Sequence, residues 1–316
     1  MNTEQLQVLV LFPASEEHKK MLESKAEMAE FTYSSPSTVT EEQVQQADVI
    51  LGNPPTDMLR QSGKLKWLQL NSAGYDNYLG DGILSSDTIL TNASGAYGLA
   101  ISEYMICGLL MLYKKMPFYF DEQKQARWSD GGGVKSLYGA TVLVIGFGDI
   151  GNEFARRAKA MGARIIGIRR RLDQKPDYVD ELHTMDRLET LLPQADAVSL
   201  SIPASSETYH LMNEKRLALM KQDAVLLNVG RGSSVDSDAL CRALNSGKLG
   251  GAYLDVTEPE PLPGDHPLWN ANNIIITPHI TGGFHLPETL ERIASICAEN
   301  LKAFTAGTAM KNVVRR

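Results

Sequence analysis

Three ionisable residues each fall just past a short, largely apolar run. Arg231 follows residues 224–229 in Leu227-Asn228-Val229-Gly230-Arg231-Gly232. Glu260 follows 252–256 in Val256-Thr257-Glu258-Pro259-Glu260-Pro261. His279 follows 273–277 in Thr277-Pro278-His279-Ile280. If these runs are parallel strands of one sheet, all three residues gather at its carboxyl edge, where open α/β sheets take their ligands. An arginine, a carboxylate and an imidazole there supply an anion clamp, a partner for the ring and a proton carrier. Singly, each has a duller explanation: a structural ion pair, a solvated loop acid, a hydrogen-bonded core histidine. Their joint placement behind a nucleotide-binding turn favours chemistry.

That turn is Gly146-Phe147-Gly148-Asp149-Ile150-Gly151. The apolar run Thr-Val-Leu-Val-Ile at 141–145 reads as a buried strand, and Phe154, Ala158 and Met161 mark one face of a following helix. Strand, G-x-G-x-x-G and helix is the order a dinucleotide site needs. Gly146 permits the tight turn, Gly148 lets the backbone approach a pyrophosphate, and Gly151 lets helix and strand pack closely. The amides of Asp149 and Ile150 open the helix, whose positive end favours the phosphates.

In such folds an acidic residue about 20 positions beyond the glycines holds the ribose 2′-hydroxyl of NAD. Here the strand 164–168 ends in Arg169-Arg170-Arg171, with no acid at that point. A carboxylate would repel a 2′-phosphate, whereas a guanidinium can give it two parallel charge-assisted bonds. Arg169 and Arg170 therefore favour NADP(H), with NAD(H) as the alternative. The bland reading is a solvated charge run at a strand end.

The elements that must position these residues follow from the whole chain. At 316 residues and 43% hydrophobic composition, the chain is long enough for about two domains with ordinary cores. A formal net charge of −7 argues against a general nucleic-acid binder. No secretory pattern or bilayer-length apolar stretch is visible, so a soluble cytoplasmic protein is expected. Cys107, Cys241 and Cys297 are scattered, without metal-ligand spacing, and suit a reducing compartment. No metal is expected.

Residues 7–12, 47–51 and 67–70 read as strands, 16–30 and 41–46 as helices, giving a first α/β domain that finishes near 89–92. The loop Asn71-Ser72-Ala73-Gly74-Tyr75-Asp76 follows its strand at the carboxyl end. Residues 97–120 read as one long, largely apolar helix. Beyond 141–145, strands at 164–168, 197–202, 224–229, 252–256 and 273–277 alternate with helices near 187–192, 214–220 and 237–245. Residues 290–304 form a final amphipathic helix, and the tail 311–314 is expected to return to the first domain. The fold class is α/β, with two Rossmann-like doubly wound parallel-sheet domains and a cleft between them.

The stretches 145–151, 201–203 with Glu207-Thr208, 226–236, 251–262 and 277–282 closely resemble the D-isomer-specific 2-hydroxyacid dehydrogenases. The 71–76 loop and Ser102-Glu103 fit the same family, so the resemblance runs nearly the whole chain in order. It implies a homodimer, a flavodoxin-like substrate domain of residues 1–98 plus 287–316, and an inserted dinucleotide-binding domain of residues 99–286. It further implies an oxidoreductase for small 2-oxo or D-2-hydroxy acids, of the glyoxylate/hydroxypyruvate reductase type. His279 resembles the acid/base, Glu260 the partner that favours imidazolium, and Arg231 the grip on the substrate carboxylate. The backbone around Ala73 and Gly74 resembles the other half of that carboxylate cradle. Asp255 resembles the holder of the nicotinamide carboxamide, and Val229-Gly230 with Ile202-Pro203 the backbone lining the cofactor. Three departures stand out: Arg169 where many members have Asp, Ser201 where a His is frequent, and Ser94 where the family often has Pro.

The competing class is a dinucleotide-sensing regulatory protein of the corepressor kind, which shares fold and site. The chain lacks the long disordered tails such regulators tend to carry. Glu260, where formate dehydrogenases typically have Gln, disfavours that branch. Arg169→Asp is expected to move preference toward NADH by about tenfold or more, read as the ratio of kcat/KM with the two cofactors. An unchanged ratio would place the 2′-phosphate site elsewhere.

Overall fold

The computed structural model describes residues 5–172 and 175–315. The chain divides into two compact units, one of Met1–Tyr97 with Phe284–Arg316 and one of Gly98–Gly283. The two units therefore part at 97/98 and 283/284. Residues 1–4 and 316 of the expected substrate domain lie outside the described residues.

The first unit begins β1 (Gln7–Val10), α1 (Glu16–Glu23), β2 (Glu30–Tyr33), α2 (Glu41–Gln46), β3 (Val49–Leu51), α3 (Thr56–Leu59), β4 (Trp67–Gln69) and β5 (Ile89–Thr91). The strands form a parallel sheet in the order β2-β1-β3-β4-β5. The helix expected over 16–30 stops at Glu23, and Glu30 instead opens β2. Ser15 caps α1 in a reciprocal box with His18, but nothing in the charged run that follows announces a strand. As an edge strand, β2 pairs only with β1 and alternates between exposed and half-buried positions, so it needs no apolar run. The central strands are buried on both faces and read as continuous Val/Ile/Leu segments, as parallel strands do.

The second unit opens with α4 (Gly98–Tyr113) and α5 (Met116–Lys124). The single helix expected over 97–120 is broken between them, because Lys115 adopts a left-handed conformation with φ +57°. Next come β6 (Thr141–Ile145), α6 (Asp149–Ala160), β7 (Arg164–Ile168), β8 (Glu181–His183), α7 (Leu188–Leu191) and β9 (Ala197–Leu200). They are followed by α8 (Glu214–Leu219), β10 (Ala224–Asn228), α9 (Ser237–Asn245), β11 (Leu249–Leu254) and β12 (Ile274–Ile276). These strands form a parallel sheet in the order β12-β11-β10-β9-β6-β7-β8. No apolar run announces β8, a half-buried edge strand in a polar stretch. Strand β11 begins at Leu249 rather than at the expected 252, because Gly250 and Gly251 dilute the apolar signal. Helix α4 is apolar on most sides because it packs against α6, β10 and β11. At Gly108 a Cβ would sit 2.6 Å from the Tyr253 ring, so glycine lets α4 lie close to the sheet.

Helix α10 (Pro287–Thr305) returns the chain to the first unit and packs on α1. Burial pushes the Cys297 thiol above its ordinary range. One turn on, Asn300 donates to Gln69 Oε1 at 2.7 Å and to the Lys311 carbonyl at 3.0 Å, and accepts from the Lys311 amide at 2.7 Å. Gln69 Oε1 also accepts from Thr91, which in turn accepts from the Trp67 indole at 2.8 Å. The tail continues along β5, with the Val314 amide on the Leu90 carbonyl. Both sheets are thus parallel, as a two-domain Rossmann-like fold requires. Asn300→Ala would remove one of the two donors on Gln69 Oε1 and leave the buried side of the Lys311 backbone without its partner. It is expected to lower stability by about 2–3 kcal/mol in denaturant unfolding. A loss under about 0.5 kcal/mol would show the network to be dispensable.

Candidate active site

The glycine turn leaves β6 with Gly146 at φ +92°, where a Cβ would lie 2.5 Å from the Ser201 carbonyl oxygen. At Gly151 a Cβ would meet the Gly146 oxygen at 2.2 Å. Gly148 differs: it is exposed, and a Cβ there would meet nothing within 4 Å. It caps α6 without any side-chain hydrogen bond, as a helix start left open to a ligand would. An exposed, uncapped, glycine-lined helix start fits a pyrophosphate. The Asp149 side chain turns toward α4, where it accepts the Gly98 amide at 2.9 Å. Ile150 is half-buried beside it. Ser201, in place of the frequent His, donates to the Gly146 carbonyl at 2.7 Å and so fastens β9 to the turn.

Arg169 leaves β7 with its amide bonded to the His183 carbonyl at 3.0 Å, and Arg170 is exposed beyond it. Ile202 is buried and Pro203 exposed at the end of β9. A Cβ at Gly230 would lie 2.6 Å from the Ile202 oxygen, so Val229-Gly230 runs directly against that segment.

At the other side of the same sheet edge, His279 Nδ1 lies 2.9 Å from Glu260 Oε2. The second Glu260 oxygen accepts the Thr257 amide at 2.9 Å. The imidazole is 53% exposed, and its Nδ1 engagement leaves Nε2 for proton exchange. Arg231 is half-buried; its carbonyl accepts from Asn228 and Ser234, and its own guanidinium reaches the Gly230 carbonyl at 2.8 Å. A Cβ on Gly232 would sit 1.8 Å from the Thr257 oxygen, so the Arg231 and Glu260 segments are pressed together.

Asp255 is only 3% exposed, and its carboxylate faces the His279 turn. Oδ1 accepts from Thr277 Oγ1 at 2.7 Å and the Ile280 amide at 3.1 Å; Oδ2 accepts from Thr281 Oγ1 at 2.6 Å. The structure therefore brings Arg231, Glu260, His279 and Asp255 to one edge, with Asp255 occupied in holding the turn.

In the first unit, the 71–76 loop is tied by residues outside the expected site. Asn53 donates to Ser72 and accepts the Asn71 amide, both at 2.9 Å. Asn92 holds the Ala73 carbonyl at 2.8 Å, Ser72 the Gly74 carbonyl, and Tyr97 the Asn71 carbonyl. With its carbonyls held this way, the half-buried loop turns carbonyls inward at Ala73 and Gly74. Only the placement of Asn53 and Asn92 after their strands could have hinted at this. Among the described residues, no group of His, Cys, Asp or Glu could hold a metal, and no helix is long and apolar enough to cross a membrane.

The D-isomer specific 2-hydroxyacid dehydrogenase NAD binding domain model matches residues 106–281. The chain is 34% identical over 261 residues to glyoxylate reductase from Korarchaeum cryptofilum, covering 80% of this chain and 77% of that one. It is 31% identical to D-3-phosphoglycerate dehydrogenase from Methanocaldococcus jannaschii over 98% of its length, but spans only 59% of that relative. A D-isomer specific 2-hydroxyacid dehydrogenase family protein from Aeromonas salmonicida superposes with a TM-score of 0.86 at 32% identity, covering 98% of this chain and 99% of that one. The chain belongs to the D-isomer specific 2-hydroxyacid dehydrogenase family. It is accordingly an oxidoreductase dependent on a nicotinamide dinucleotide.

Proposed function

We propose that the protein reduces a small 2-oxo acid to the D-2-hydroxy acid, with NADPH preferred. The 2.9 Å His279–Glu260 pair, on the same sheet edge as the uncapped glycine turn, carries this reading. When bound, the reduced nicotinamide supplies a hydride. The amides at Gly148, Asp149 and Ile150 hold the pyrophosphate, Arg169 and Arg170 the 2′-phosphate, and Ile202, Pro203, Val229 and Gly230 line the cofactor. Arg231 grips the substrate carboxylate and orients the ketone, much of the rate coming from that alignment. In the first unit, the amides of Ala73 and Gly74 are donors of the kind a carboxylate takes. Glu260 fixes the ring through Nδ1, and His279 delivers the proton to the ketone oxygen from Nε2.

The test is loss of reduced-cofactor absorbance with NADPH and NADH, against glyoxylate, hydroxypyruvate, pyruvate and branched 2-oxo acids. Turnover with NADPH ahead is expected. Tight dinucleotide binding with no turnover would instead support a sensor. Arg231→Ala is expected to lower kcat/KM for the 2-oxo acid by at least about 10²-fold, with NADPH affinity nearly intact by fluorescence titration. Equal loss of cofactor affinity would remove the clamp role.

The reading includes a cytoplasmic homodimer. Free cysteines at 107, 241 and 297 suit a reducing compartment. Trp128 is fully exposed, yet its neighbours Arg127 and Ser129 both bond to Glu122, whose carboxyl those bonds pull down to about 2. An indole held in water by a fixed support suits an interface anchor. Trp128→Ser is expected to convert a sedimenting dimer to monomer; an unchanged sedimentation coefficient would place the interface elsewhere.

A further inference from the structure

His279 occupies a conformation that a residue with a Cβ rarely adopts, φ +52°. Its amide donates to the Asp255 carbonyl at 2.8 Å, and the next two residues converge on the Asp255 carboxylate. Thr281 makes the shortest of these contacts, 2.6 Å from Oγ1 to Oδ2, with its own amide 3.3 Å from the same oxygen. Its side chain is 2% exposed, so no water replaces that bond. On the other oxygen, Thr277 donates at 2.7 Å and itself lies 3.1 Å from the Tyr253 hydroxyl, which is buried against α4.

A buried carboxylate turns toward whatever donors it can reach. Here Thr277 fixes one oxygen from the strand side, and Thr281 fixes the other from beyond the histidine. The two hydroxyls straddle His279 in sequence and meet on one carboxylate. The left-handed turn between them cannot relax toward an ordinary conformation without breaking a buried charge-assisted bond. Glu260 orients the ring through Nδ1, but only the backbone sets where the ring starts.

We infer that Thr281 is a positioning residue for His279: its hydroxyl, through Asp255, holds the turn that aims the imidazole. This rests on the acid/base reading of His279 given above. It also means that Asp255 spends its acceptors on the turn.

The test uses the full chain. Thr281→Val keeps the shape and removes the hydroxyl, while Thr281→Ser keeps the hydroxyl; Thr281→Ala replaces the valine variant if that one does not fold. Steady-state kinetics with NADPH and the best 2-oxo acid are run beside ¹⁵N-histidine NMR, the His279 signals being assigned with His279→Gln. Thr281→Val is expected to lower kcat about tenfold, to leave NADPH affinity within about twofold, and to shift or broaden the His279 imidazole signals. Thr281→Ser is expected to restore most of kcat. Wild-type kcat with unmoved imidazole signals in Thr281→Val would overturn the inference. So would a serine variant as slow as the valine one, since packing and not the hydroxyl would then matter. If His279→Gln turns over normally, the acid/base reading fails on its own, and the imidazole signals in Thr281→Val still decide whether Thr281 holds the ring.

Discussion

Asp255 is buried, and a buried carboxylate must find its donors locally or lose its charge. It finds them in Thr277, Ile280 and Thr281, on both sides of His279. Its backbone takes part as well: its carbonyl accepts the His279 amide, and its amide donates to the Asn228 carbonyl of β10. One residue thereby ties the histidine turn to β10 and, through it, to the segment that carries Arg231. The Glu260 loop joins the same assembly through the ring of His279 and through the contact of Thr257 with Gly232.

Neighbouring strand ends approach this closely because side chains are missing where they meet. Gly146 lies against Ser201, Gly230 against Ile202, and Gly232 against Thr257. These three contacts run along the carboxyl ends of β6, β9, β10 and β11, which are neighbours in the sheet. A Cβ at any of them would collide with backbone, which cannot rotate away as a side chain can. Only Gly148, in the same row, faces open space. Three glycines serve packing and one leaves room for a ligand.

The first unit uses a different device. Its 71–76 loop is held by amide and hydroxyl side chains on its carbonyls. Its sheet is joined to the chain's last helix by Asn300, Gln69 and Thr91, a buried network in which each member satisfies another. The strand that leads into that loop is therefore tied to α10, which lies more than 200 residues further along the chain.

Much of the architecture was legible because parallel strands buried on both faces must be continuously apolar, and such runs at 141–145, 164–168 and 224–228 stand out in any polar background. The residues that follow them, including Gly146 and Arg231, inherit the carboxyl edge from that fact alone. Edge strands need no apolar run: β12 keeps one in Ile274–Ile276 and was legible, whereas β2 and β8 lie in polar stretches and were not, and one residue's left-handed backbone at Lys115 split a helix that its composition made continuous. Residue types and order by themselves determined the fold class and the chemical groups available. The tertiary structure alone decided that Glu260 meets His279, that Asp255 faces the turn, and that Asn53 and Thr281 matter. Those are contacts between side chains 18 to 26 residues apart, and no local spacing encodes which of several polar neighbours a buried carboxylate or carbonyl will find.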